Sequence, residues 1–164
     1  MKEFDYYIFI DYSQNFLGYI IIEDSKISEF IPKTSKFAHY RDLKHKSKYI
    51  TSIRKRIKNE EILSYILKTK IRRLIDNLKI YSDILDFLKE HDNCLIFISV
   101  DNKQYMSFKK IIEIIDGKNI KVVQESKLKK HSKYYKMSLV IDTLLNIERP
   151  EENKGLRASV NPTN

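Results

Sequence analysis

Two stretches of this chain are apolar without interruption, Tyr6-Tyr7-Ile8-Phe9-Ile10 and Cys94-Leu95-Ile96-Phe97-Ile98-Ser99-Val100. Runs of that length, rich in β-branched and aromatic residues, read as strands covered on both faces. Each ends on a carboxylate, Asp11 and Asp101. After Asp11, the run Phe16-Leu17-Gly18-Tyr19-Ile20-Ile21-Ile22 brings the chain back as a hairpin instead of entering a helix. Ile27 to Ile31 alternate poorly, which suits an edge strand over about 26–31 that Pro32 terminates. Ile120-Lys121-Val122-Val123 predicts a short fifth strand.

The other apolar residues recur at helical spacing. Ile62, Leu63, Ile66, Leu67, Ile71, Leu74, Ile75 and Leu78 predict a long helix opened by Asn59-Glu60-Glu61, where Asn caps and the acids suit the positive end of the dipole. The phase slips near Lys79-Ile80-Tyr81, so a second segment is expected over Asp83–His91. Met106, Ile111, Ile112 and Ile115 predict a helix over about 104–116, closed by a turn at Asp116-Gly117-Lys118-Asn119. Tyr134, Met137, Val140, Ile141, Leu144 and Leu145 predict a last helix from Ser132 to about Asn146. Residues 33–58 and 124–131 read as basic connections. The expected order is β-β-β-α-β-α-β-α: an α/β protein whose five-stranded mixed sheet, three antiparallel strands joined by two parallel ones, is flanked by helices. The domain is expected to span 1–148. Residues 149–164, with Pro150, Gly155 and Pro162, are expected to be a disordered tail.

Charge adds a partner to this picture. The net charge is +9, and it is clustered. Arg41, Lys44, Lys46, Lys48, Arg54, Lys55, Arg56 and Lys58 face Asp42 alone within 41–58, and 127–136 hold five lysines, Lys129 and Lys130 among them, with no acid. Two basic blocks on an otherwise mildly acidic chain point to a polyanion. His39, Tyr40, His45 and Tyr49 are interleaved with the first block. The two histidines read as surface residues, and no His/Cys spacing there suits zinc. No apolar run approaches a membrane span, and the N-terminus lacks a signal-peptide core. The single cysteine, Cys94, falls in a core strand and suits a reducing, cytoplasmic compartment.

The candidate chemistry lies in the carboxylates. A bare Asp at the end of a core strand is costly unless water, a donor or a metal meets it. Asp101 precedes a helix, at the carboxyl edge where open α/β sheets keep their sites, and it also reads as the cap of that helix. Asp142 lies on the flank of the last helix, in line with Ser138. Two strand-end carboxylates and one on a late helix suit a metal pair. At about 100° per residue Glu60 falls on the apolar stripe of its helix and Glu61 well to the side. Glu125, in the basic connection after the short strand, is within reach of such a site but reads first as a surface acid.

In order and local pattern the chain resembles the ribonuclease H family over roughly residues 5–147. The likeness is carried by Asp11 and its hairpin with Gly18-Tyr19-Ile20, the long helix after it, Leu88-Lys89-Glu90-His91 before the central strand, and Asp101 with Gln104-Tyr105. His131-Ser132 and Ile141-Asp142-Thr143-Leu144-Leu145 complete it. The chain departs from the family in two places: Tyr12-Ser13-Gln14-Asn15 replaces a glycine-rich turn, and one extra residue separates Asp101 from Gln104. The resemblance implies a nuclease that cuts RNA in RNA–DNA hybrids with two Mg²⁺ or Mn²⁺ ions. It implies Asp11, Glu60, Asp101 and Asp142 as ligands, with Glu61 as the second choice on its helix, and His131 as an aid to water or product exchange. The basic blocks would hold phosphates. A non-catalytic nucleic-acid-binding module and a nuclease of the resolvase or integrase type are the alternatives.

Overall fold

The computed structural model describes residues 3–113 and 119–160, with the backbone course alone over 149–160. Strands β1 (Tyr6–Ser13) and β2 (Phe16–Glu23) form the expected hairpin, with Asp11 opposite Gly18. Strand β3 (Lys68–Arg73) pairs antiparallel to β2, while β4 (Cys94–Ile98) and β5 (Ile120–Gln124) join β1 in parallel. The strand order is β3-β2-β1-β4-β5. This is the mixed five-stranded α/β sheet, flanked by helices, that the family resemblance implies.

Two expected elements lie elsewhere. Residues 26–31 are not the third strand: they belong to helix α1 (Asp24–Lys33). Ile27 and Phe30 are both buried there, a spacing of three that a helix satisfies and a half-buried strand does not. The third strand is instead β3, whose sequence Lys-Thr-Lys-Ile-Arg-Arg carries one aliphatic residue. It sits at the sheet edge, where cations discourage pairing with another chain. The long helix expected from Asn59 is therefore absent. Leu63, Leu67, Leu74, Ile75 and Leu78, read as its buried stripe, are exposed, Ile75 at 87% and Leu78 at 78%. The basic connection holds helix α2 (Lys46–Asn59), and α3 (Asn77–Glu90) runs unbroken through the stretch where a phase slip was expected.

Helix α4 (Asn102–Glu113) and helix α5 (Lys133–Val160) complete the fold. The end of the helix expected over about 104–116 and most of the turn expected at 116–119 lie outside the described residues. Ser132 caps α5, its hydroxyl oxygen accepting from Tyr135 N–H at 3.2 Å. The helix runs to Val160, over most of the span expected as a tail; Glu148, Glu151, Glu152, Leu156, Arg157 and Ala158 there are good helix formers. Residues 161–164 lie outside the described residues. No helix among the described residues is long and apolar enough to cross a membrane.

Alternation along the strands divides the core. Tyr7, Phe9, Phe16, Ile20, Leu95 and Phe97 pack on one face with Phe30, Ile53, Met137, Val140, Ile141 and Leu145 of α1, α2 and α5. Ile8, Ile10, Tyr19, Ile21, Cys94, Ile96 and Ile98 pack on the other with Ile80, Ile84, Leu88, Phe108 and Ile112 of α3 and α4. Gly18 belongs to the α5 face. A Cβ there would meet Ile71 Cγ1 at 2.9 Å, Leu145 Cδ2 at 3.1 Å and Ile141 Cδ1 at 3.2 Å. Its missing side chain lets α5 settle on β2 opposite Asp11.

Candidate active site

Odd-numbered positions of β1, β4 and β5 face α5. At the carboxyl ends of these parallel strands that parity sets Asp11 after Phe9, Ser99 after Phe97 and Glu125 after Val123 on one face. Ser99 N–H donates to Ile10 O at 3.0 Å, which holds the end of β4 beside the residue before Asp11. Helix α5 lies over this face and adds Asp142, one residue beyond the buried Ile141. Asp11 and Asp142 are 6% and 7% exposed, and Glu125 is half-buried. Three carboxylates from three elements thus meet at one sheet edge.

Their titration shows the crowding. Burial pushes the Asp11 carboxyl well above its ordinary range, and the charges of Glu125 and then Asp142 push the same way; the Ser99 hydroxyl opposes them. Glu125 is also raised, first by burial, with Asp142 adding to it. The nearby Ser99 and Ser138 hydroxyls and His39 counter the rise. Asp142 is held from the opposite side by the segment between α1 and α2. Tyr40 N–H donates to its Oδ2 at 2.9 Å, and His39 Nδ1 stands 4.0 Å from the same oxygen. Behind it Asn146, 2% exposed, donates to Asp142 O at 2.7 Å and accepts from Ser13 Oγ at 3.3 Å. Beside the acids a cleft of about 340 Å³ opens between His39, Arg41, Ser99, Glu125, Lys130 and Tyr135.

Asp11 and Asp142, expected from sequence, stand in this cluster. Asp101 does not: its exposed carboxylate accepts Gln104 N–H at 2.8 Å and caps α4. The chain leaves β4 toward the α3/α4 face, so Asp101 lines a cavity there with Tyr12 and Phe108. Glu60 is the C-cap of α2, not the start of a sheet-facing helix, and pairs with Arg56 at 3.0 Å. Glu61 is exposed, with a left-handed φ of 51°. His131 is exposed in the turn before α5. Glu125 and His39 read from the sequence first as surface residues, and Ser99 is not singled out there. Strand parity gives a signal for Glu125 and Ser99, since each continues an inward-facing row. His39 has none, because its place depends on how the insertion between β2 and β3 folds.

The basic block also divides. Arg41, Lys44, Lys46, Lys48, Lys55 and Lys58 are exposed, whereas Arg54 and Arg56 are half-buried, Arg54 Nη2 donating to Ile147 O at 3.3 Å. Lys129 and Lys130 are exposed, and Lys130 borders the cleft. Among the described residues no three His, Cys, Asp or Glu side chains stand in ready metal-binding geometry. Burial and like charge raise Asp11 and Glu125, an environment that a positive ion would relieve.

No family model and no curated protein matches the chain. Among solved structures it is similar to the RNase HII in the PCNA:RNase HII complex from Archaeoglobus fulgidus, with a TM-score of 0.48 and 12% identity over 93% of this chain and 76% of that one.

Proposed function

We propose that this chain is a metal-dependent phosphodiester hydrolase acting on nucleic acid, with Asp11, Glu125 and Asp142 as its centre. The convergence of the buried Asp11 and Asp142 with the half-buried Glu125, beside a cleft bordered by Arg41 and Lys130, carries the reading. Sheet cores do not gather like charges without an ion or a reaction to use them. Mg²⁺ or Mn²⁺ held by the three carboxylates would supply a water of lowered pKa and a Lewis acid toward a phosphoryl oxygen. The chain's own groups set this up. The Ser99 hydroxyl lies near Asp11 and Glu125 and would donate to one of them at a time, and Tyr40 N–H donates to Asp142 Oδ2. Arg41 and Lys130 meet phosphates at the cleft mouth, and the cations of α2 extend that field. The RNA strand of an RNA–DNA hybrid is the substrate that the family resemblance favours, read by shape and 2′-hydroxyls.

The position of Asp101 favours one other reading. With the central-strand acid serving as a helix cap, the fold suits a binding module without catalysis. Labelled hybrid, RNA and duplex DNA incubated with Mg²⁺ or Mn²⁺ separate the two. Cleavage by the wild type, reduced about 100-fold or more in Glu125→Gln, is the expected result. Binding of any of these by the wild type without cleavage establishes the module instead.

A further inference from the structure

On the opposite face of the same sheet edge lies a cavity of about 490 Å³, between the start of α3 and helix α4. That volume suits a small planar ligand within the roughly 300–1,000 Å³ of ordinary ligand sites. Its walls combine the rings of Tyr12, Tyr81 and Phe108 with the side-chain amides of Asn77 and Gln104 and the hydroxyl of Ser107. The Tyr81 and Phe108 rings lie 5.5 Å apart at 39°, and the Tyr12 and Tyr81 phenols hydrogen-bond to each other. The rim exposes Leu74 and Ile111, at 37% and 41%.

We infer that this cavity holds a nucleobase of a polynucleotide. Aromatic walls offer a stacking surface that every base can use. Two carboxamides, each with donors and an acceptor, suit the hydrogen-bonding edge of a base, and an aliphatic rim suits a flat ring. Position supplies the link to the acids. Tyr12 follows Asp11 directly, and strand alternation sends their side chains to opposite faces. The cavity and the acid cluster therefore flank the same end of β1, where a polynucleotide strand passing over that end meets both. The choice of a polymer rests on the nuclease reading; the base pocket is tested separately.

Calorimetric titration of the full chain with the four nucleoside 5′-monophosphates, against ribose 5-phosphate as the base-free probe, tests it. At least one nucleotide is expected to bind about tenfold or more tightly than ribose 5-phosphate, the scale of one base stack. Ser107→Trp, an exposed position on α4 that fills the cavity, removes that advantage at an unchanged melting temperature. Gln104→Ala alters the preference among bases. Equal affinity for nucleotide and ribose 5-phosphate overturns the inference, as does wild-type binding by a folded Ser107→Trp. Base binding that persists where no substrate is ever cleaved removes the nuclease reading and leaves the pocket. Cleavage without any base-dependent affinity removes the pocket and leaves the nuclease.

Discussion

At the scale of single residues, Asp11 concentrates the energetics of the site. Its carboxyl holds a proton more tightly in the folded chain than in the unfolded one, chiefly through burial and then through Glu125 and Asp142. The folded state therefore binds more protons than the unfolded state between the ordinary value, 3.8, and the raised one. Stability falls as pH rises through that window and levels off above it. Glu125 contributes in the same direction from its ordinary value of 4.5. Asp11→Asn is expected to raise the melting temperature at neutral pH, to flatten its decline with pH and to abolish cleavage. Melts across pH 4–9 with and without Mg²⁺ check this; a variant less stable than the wild type at neutral pH contradicts it. Asp101 supplies the contrast. Asn caps a helix about as well as Asp, so Asp101→Asn is expected to keep the melting temperature and to avoid the loss of orders of magnitude in cleavage that Glu125→Gln brings, any smaller effect arising through the cavity that Asp101 lines. A loss of orders of magnitude in a parallel cleavage assay would return Asp101 to the centre.

Among the elements, α5 and the insertion between β2 and β3 decide whether a site exists. Helix α5 reaches the sheet only because Gly18 leaves room for Ile141 and Leu145. A methyl group at that position pushes on both and on Ile71. Gly18→Ala is expected to cost about 1–3 kcal/mol, the usual scale of overpacking, and to lower cleavage by shifting Asp142 away from Asp11. Urea unfolding together with the cleavage assay tests the pair of effects, and full activity in a destabilised variant would separate the packing from the site. The insertion matters through its backbone: Tyr40 N–H is the donor that holds Asp142. This element was the hardest to read in advance. Ile27, Phe30 and Ile31 span too short a stretch for their helical spacing to stand out along the chain, and β3 carries charge where a strand pattern expects apolar residues. The stripe from Ile62 to Leu78 has helical period, yet most of it faces solvent. Pairing with β2 outweighed that local period.

For the molecule as a whole, charge sets the expected behaviour toward nucleic acid. Exposed cations on α2 and in the loop before α5 displace counterions from phosphates, so affinity for duplex is expected to fall steeply with salt. In an uncleaving Asp11→Asn background, Lys48→Ala with Lys55→Ala is expected to reduce the salt slope by about two phosphate contacts, at about 0.9 each. Arg54→Ala is expected to act on stability instead, since its guanidinium reaches Ile147 O. Binding isotherms at several salt concentrations test both, and an unchanged slope in the lysine pair would place the polyanion elsewhere.

Sequence alone determined the parts whose physics is local. Continuous apolar runs made β1 and β4 buried strands, a helical stripe made α5, and the carboxylates at the ends of such runs marked where chemistry is costly to leave unused. Clustered lysines and arginines fixed where the positive charge of the surface lies. Tertiary structure alone decided which carboxylates meet. Asp11, Asp142 and Glu125 converge because strand parity and the seat of α5 at Gly18 bring three distant segments to one face. Asp101, equally well marked in the sequence, turns with the chain toward the opposite face and caps a helix. A period along the chain specifies which side of its own element a residue takes. It does not specify which elements share that side, and the site is made of that second relation.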